Sequence, residues 1–179
     1  MTIALTVAVL VVLGYDRPTQ NPCDHFPASL MTYLHRTLPG YQLIPPQAFD
    51  TSWMQNFTGV NETDGAPNCI TGDFDGNGLE DFALLLRHGR AVELFAFHRT
   101  PDSWHHVRAW TGQTIPYQLP LQLAVFRIQP RVLSIASSGD TTPSTVHIKN
   151  PSIELVFFET SSVVLYWNGD RYLQIWTSN

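Results

Sequence analysis

The run Asp73-Phe74-Asp75-Gly76-Asn77-Gly78-Leu79-Glu80-Asp81, followed at once by the apolar Phe82-Ala83-Leu84-Leu85-Leu86, constrains this chain more than any other stretch. Asp73, Asp75, Asn77 and Asp81 stand at positions 1, 3, 5 and 9 of a D-x-D-x-N-G-x-x-D pattern. Alternate residues of a tight loop turn their oxygens toward one centre. A hard cation such as Ca2+ takes roughly six to eight such oxygens from carboxylates, amides, backbone carbonyls and water. Gly78 sits where such a loop turns sharply, and Leu79, at position 7, offers its backbone carbonyl. Three carboxylates so close would repel one another without a cation. The competing reading of the same residues is a solvated Asp/Gly/Asn turn. The apolar run after Asp81 is bounded by charge and reads as a buried strand rather than a helix.

An EF-hand would carry a bidentate Glu at position 12 and helices on both sides; here position 12 is Leu84. The segment from Ile70 to Leu85 instead resembles the Ca2+ loop of FG-GAP (VCBS-type) repeats, in which GDFDGDG-x-x-D joins two strands of a propeller blade. That resemblance implies Asp73, Asp75, Asn77 and Asp81 as side-chain ligands and Leu79 as a carbonyl ligand. It covers the loop and its flanks only, and identifies the loop rather than the fold. A propeller needs at least about four blades of four strands, and the motif occurs once, so a complete propeller is not expected.

Ile3 to Gly14 is uncharged and apolar. It is too short for a bilayer span of about 20 residues but suits the apolar core of a secretory signal. It lacks a basic leading segment and an A-x-A-like cleavage site, and a buried β-strand is the other reading. The expected organisation is a signal-like or membrane-anchoring segment over residues 1–20 and a single globular domain over 21–179, with no stable membrane span. The expected location is extracytoplasmic, periplasmic or secreted, with the apolar segment either cleaved or kept as a tether. Cys23 and Cys69 are the two cysteines. In an exported chain an even count favours a disulfide, and two free thiols are the alternative. Neither cysteine has a Cys or His partner at zinc-finger spacing. The net charge of -5, with one lysine (Lys149) and no basic cluster, argues against nucleic acid.

Apolar residues at 30, 31, 34 and 38 mark one face of a helix over residues 27–38, with Pro27 at its start and Pro39-Gly40 at its end. Leu30, Leu34 and Leu38 should face a sheet built from residue 70 onward. The strand Phe82–Leu86 is apolar on both faces and should therefore be central. Strands are further expected over 91–97, 104–110, 121–128, 132–136, 152–158, 163–167 and 171–176. Residues 137–144 read as a loop, and Asn168-Gly169 as the φ > 0 pair of a type I′ hairpin turn. The fold class is α+β: an antiparallel meander with one N-terminal helix.

Other chemistry is thinner. His105 and His106 are strand neighbours, so they point to opposite faces and cannot readily share a metal. Trp104, His106, Arg108 and Trp110 should share one face of their strand. No G-x-S-x-G elbow occurs, and Ser134, Ser137 and Ser138 have no local base. Glu154 and Glu159 read as solvated strand ends. Trp104, Trp110, Trp167 and Trp176 read as sheet core, with a sugar- or peptide-binding platform as the alternative. Asn56 and Asn61 fit the N-glycosylation pattern. Taken together, the residues suggest an exported, non-enzymatic Ca2+-binding domain whose ion braces a strand–loop–strand, with another extracytoplasmic protein as partner. An inhibitor or immunity-type protein directed at a secreted enzyme, and a hydrolase with a structural Ca2+ site, are the alternatives.

Overall fold

Six consecutive buried residues, Asp81 to Leu86, form the centre of the molecule. A computed structural model describes residues 23, 26–50, 52, 67–135, 144–158 and 161–177. The apolar stretch 3–14, Asn56, Asn61, Ser137, Ser138 and Glu159 lie outside the described residues. The elements are α1 (Ala28–Thr37), β1 (Gln42–Leu43), β2 (Cys69–Gly72), β3 (Asp81–His88), β4 (Ala91–Arg99), β5 (Trp104–Arg108), β6 (Ile115–Pro116), β7 (Leu123–Ile128), β8 (Arg131–Ile135), β9 (Ser144–Ile148), β10 (Ser152–Phe157), β11 (Ser161–Trp167) and β12 (Tyr172–Thr177). All strand ladders are antiparallel. They form a sheet ordered β1-β3-β4-β5, with β2 also on β3 and β6 on β4, a second sheet ordered β12-β11-β10-β7, and the hairpin β8-β9. The architecture is α+β with no closed barrel.

β3 is central, as its two apolar faces require. β1 and β2 pair with one of its edges and β4 with the other. Phe82, Leu84 and Leu86 pack with Leu30 and Leu34 of α1, while Ala83 and Leu85 pack with Val125, Leu155 and Leu165 of the second sheet. Helix, first sheet and second sheet are thus three layers around two apolar seams. Leu30 and Leu34 are fully buried, and half-buried Leu38 joins the same cluster. Each buried leucine contributes about 1.5–3 kcal/mol by leaving water. The helix stops at Leu38, and Gly40 takes φ 88° just beyond it.

Three local expectations need correction. β5 ends at Arg108, because the N–H groups of Ala109 and Trp110 both donate to the Leu94 carbonyl, at 2.9 and 3.4 Å. Two residues opposite one make a β-bulge, which rotates the following side chain to the other face. Trp110 therefore leaves the face of Trp104 and enters the seam between the sheets. At the last hairpin, the Asn168 N–H donates to the Arg171 carbonyl, so the tip is Gly169-Asp170 rather than Asn168-Gly169. Gly169 takes φ 104°, and the Asn168 Oδ1 accepts from the N–H groups of Asp170 and Arg171. Glu154 is buried rather than a solvated strand end; its Oε1 accepts from the Ser162 hydroxyl at 2.7 Å. β9, and the two-residue strands β1 and β6, carry too little periodicity to be read from sequence.

Candidate metal centre

Cys69 opens β2 and is fully buried; it is joined to Cys23 by a disulfide with Cα atoms 5.9 Å apart. Such a bond fits an oxidising environment. Among the described residues no helix is long and apolar enough to cross a membrane. From Cys69, β2 runs antiparallel to β3 and delivers the chain to the loop 73–80, whose far end is Asp81, the first residue of β3.

The loop is folded by its own carboxylates. Asp81 is fully buried; its Oδ2 accepts the N–H of Phe74 at 2.9 Å and of Asp75 at 3.4 Å, and its Oδ1 accepts the N–H of Arg99 at 2.8 Å. The Asp73 Oδ2 accepts the N–H of Gly78, and the Asp75 Oδ1 that of Asn77. The Asn77 Oδ1 accepts the N–H of half-buried Leu79, while its Nδ2 donates to the Asp75 Oδ2 and the Arg99 carbonyl. Phe74, fully buried between the sheets, pins the loop to the core. Gly76 takes φ 79°, and a Cβ there would stand 2.6 Å from the Asn150 side-chain nitrogen. That nitrogen reaches the Phe74 carbonyl at 3.5 Å.

The sequence did not point to His98. It lies on β4 one step beyond the Phe82–Phe97 pair, hence opposite Asp81. Its Nδ1 is 3.2 Å from the Asp75 Oδ2 and 3.4 Å from the Asp81 Oδ2. Ligand-capable atoms of Asp75, Asp81 and His98 all lie within 4.8 Å of one another. The imidazole is held on its other side by the Tyr172 hydroxyl, 3.2 Å from Nε2, and packs on Trp167. Burial, and after it the negative charges of Asp81 and Asp75, push the Tyr172 phenol well above its ordinary range.

Of the five residues expected around a cation, Asp75 and Asp81 come together with His98. Asp73 and Asn77 sit in the same loop, engaged by its backbone. Two buried atoms here make no hydrogen bond: the Asp73 Oδ1 and the His98 Nδ1. The His98 Nδ1 still faces the Asp75 and Asp81 carboxylates. An unsatisfied buried oxygen such as the Asp73 Oδ1 costs roughly 1–3 kcal/mol, more when charged, and a cation is one way to satisfy it. What places His98 across from Asp81 is the register set by a two-residue tip at Gly89-Arg90, where His88 pairs with Ala91. Compared with models of protein families, with curated proteins and with solved structures, the chain matches none.

Proposed function

We propose that this chain is an extracytoplasmic, non-enzymatic Ca2+-binding domain in which the ion braces the junction of β2 and β3. The observation that carries this reading is the Asp73 Oδ1, a buried carboxylate oxygen without a hydrogen bond, in the loop that also carries Asp75 and leads into Asp81. The donor set of three carboxylates, the Asn77 amide and the Leu79 carbonyl is all hard oxygen, which suits Ca2+. The disulfide at Cys69 and the apolar segment 3–14 support export, to a compartment where calcium is abundant. Without a position-12 Glu, water completes the shell, and Kd should fall at about 10⁻⁵ to 10⁻³ M, the weaker end of Ca2+ sites. Calorimetric titration of wild type and Asp73→Ala is the test: equal heats from both would remove the assignment.

His98 favours a second reading, because its Nδ1 faces two carboxylates at ligand-to-ligand distances and makes no hydrogen bond. Imidazole with carboxylates suits Zn2+ and similar ions better than Ca2+. Titration of Zn2+ into wild type and His98→Gln separates the two readings. Calcium binding that survives His98→Gln, with no zinc heat in wild type, supports the oxygen-only site.

A further inference from the structure

A second concave site shares no lining residue with the metal centre. A cavity of about 580 Å³ opens between the Trp110–Pro116 segment of the first sheet and the ends of β10, β11 and β12 in the second. That volume is in the roughly 300–1,000 Å³ range of small-ligand sites. Three aromatic rings form its apolar part. Trp110 meets Trp176 edge-on, with centroids 5.7 Å apart, and is tilted against Phe157 at 5.7 Å. Phe157 and Trp176 lie nearly parallel, at 21°. Trp110 is buried, but Trp176 is 57% exposed at the rim.

The wall is preformed. The Trp110 indole N–H donates to the Gln113 carbonyl at 3.0 Å, which curls the 111–113 segment over the ring. A side chain at position 112 would overlap that indole, so the glycine is required there. Gln174 is fixed by donating its side-chain N–H to the Thr111 hydroxyl at 2.8 Å. The polar lining consists of amides and hydroxyls, with Gln113, Thr114, Ser161 and Gln174 contributing, and no charged side chain lies among the described lining residues.

We infer that this cavity binds a neutral glycan, a pyranose ring stacking on Trp176 while its hydroxyls meet the amides and hydroxyls opposite. The negative π-face of an indole complements the polarised C–H groups on one face of a pyranose. An acidic or phosphorylated ligand would leave its charge unpaired here. A purely apolar ligand would strand the fixed Gln174 amide.

The test is calorimetric titration of the intact protein with the hexasaccharides of β-1,4-glucose, β-1,4-N-acetylglucosamine and α-1,4-glucose, beside polygalacturonate and a tryptophan-containing hexapeptide. At least one neutral hexasaccharide should bind. Trp176→Ala should weaken that binding at least tenfold while the protein stays folded by circular dichroism, and Gln174→Ala should weaken it several-fold. Absence of binding to all three neutral probes overturns the inference. So does unchanged affinity in Trp176→Ala and Gln174→Ala, or preference for the peptide or the acidic polymer.

Discussion

Asp75 and Asp81 carry the same functional group but different duties, and burial separates them. Asp81 accepts three backbone N–H groups inside the protein, so it is needed with or without an ion. Asp81→Ala should cost roughly 2–4 kcal/mol in EDTA, because buried donors lose a charged acceptor. Half-buried Asp75 is tied to Asn77 within the loop and faces His98. Asp75→Ala should abolish the calcium heat yet cost under about 1 kcal/mol in EDTA. Urea unfolding of both variants in EDTA checks this, and equal losses would contradict the division. A second residue-scale prediction concerns His106, whose ring packs on Tyr33, Phe95 and Phe97 and whose Nδ1 meets the Tyr33 hydroxyl at 3.0 Å. Burial, then the neighbouring His105, lowers its pKa from the ordinary 6.5. A base depressed by folding leaves stability intact above its unfolded value of about 6.5, and stability falls as pH drops from there through the folded value. The melting temperature should therefore drop more steeply below about pH 6.5 in wild type than in His106→Phe. Parallel pH profiles would refute it. The acidic residues of the loop were legible because their spacing is local. His98 was not, because its place beside them depends on strand register.

At the scale of elements, what could be read was whatever rests on apolar periodicity. The helix face Leu30-Leu34-Leu38 and the two-faced strand β3 are set by burial alone, and both are as the pattern requires. Leu34→Ala should cost about 2–5 kcal/mol, since a fully buried leucine leaves a cavity between α1 and β3. Denaturant midpoints measure this, and a loss below about 1 kcal/mol would mean that α1 is not docked as described. Where a backbone hydrogen bond overrides alternation, the pattern fails. The bulge at Ala109-Trp110 is invisible in the sequence, yet it moves an indole from the helix side to the seam between the sheets. It thereby builds one wall of the 580 Å³ cavity. The last hairpin fails for a similar reason: the Asn168 side chain takes the acceptor role at the turn and shifts the tip by one residue. Both departures come from single backbone or side-chain hydrogen bonds, each worth about 0.5–1.5 kcal/mol. Composition and periodicity do not carry information at that level.

For the whole molecule, the four residues of β2 are the link on which the disulfide, the loop and both sheets converge. β2 pairs with β3 in the first sheet, and the Thr71 carbonyl accepts from the Arg127 guanidinium on β7 in the second. Just before it, the Pro67 carbonyl accepts the Val125 N–H. One end of β2 is held by Cys23–Cys69, whose sequence separation is 46; a crosslink of that reach is worth about 3–4 kcal/mol in the loop-entropy account. The other end is held by the loop, and an ion bound only by the folded form adds about 1.4 kcal/mol when calcium is tenfold above Kd. With calcium bound as proposed, either restraint alone should keep β2 on β3, and loss of both should loosen the strand from the β3 edge. The effects should therefore exceed additivity. In saturating calcium, Asp75→Ala combined with Cys23→Ser and Cys69→Ser should lose more stability than the separate losses summed. The excess should be above roughly 0.5 kcal/mol, the level at which coupling is distinguishable from independent sites. Denaturant unfolding of the four forms closes the cycle, and repetition in EDTA is the control. There Asp75→Ala removes no ion, so the excess should shrink toward zero. Additivity in calcium, or an excess as large in EDTA, would mean that the ion and the disulfide do not act through β2.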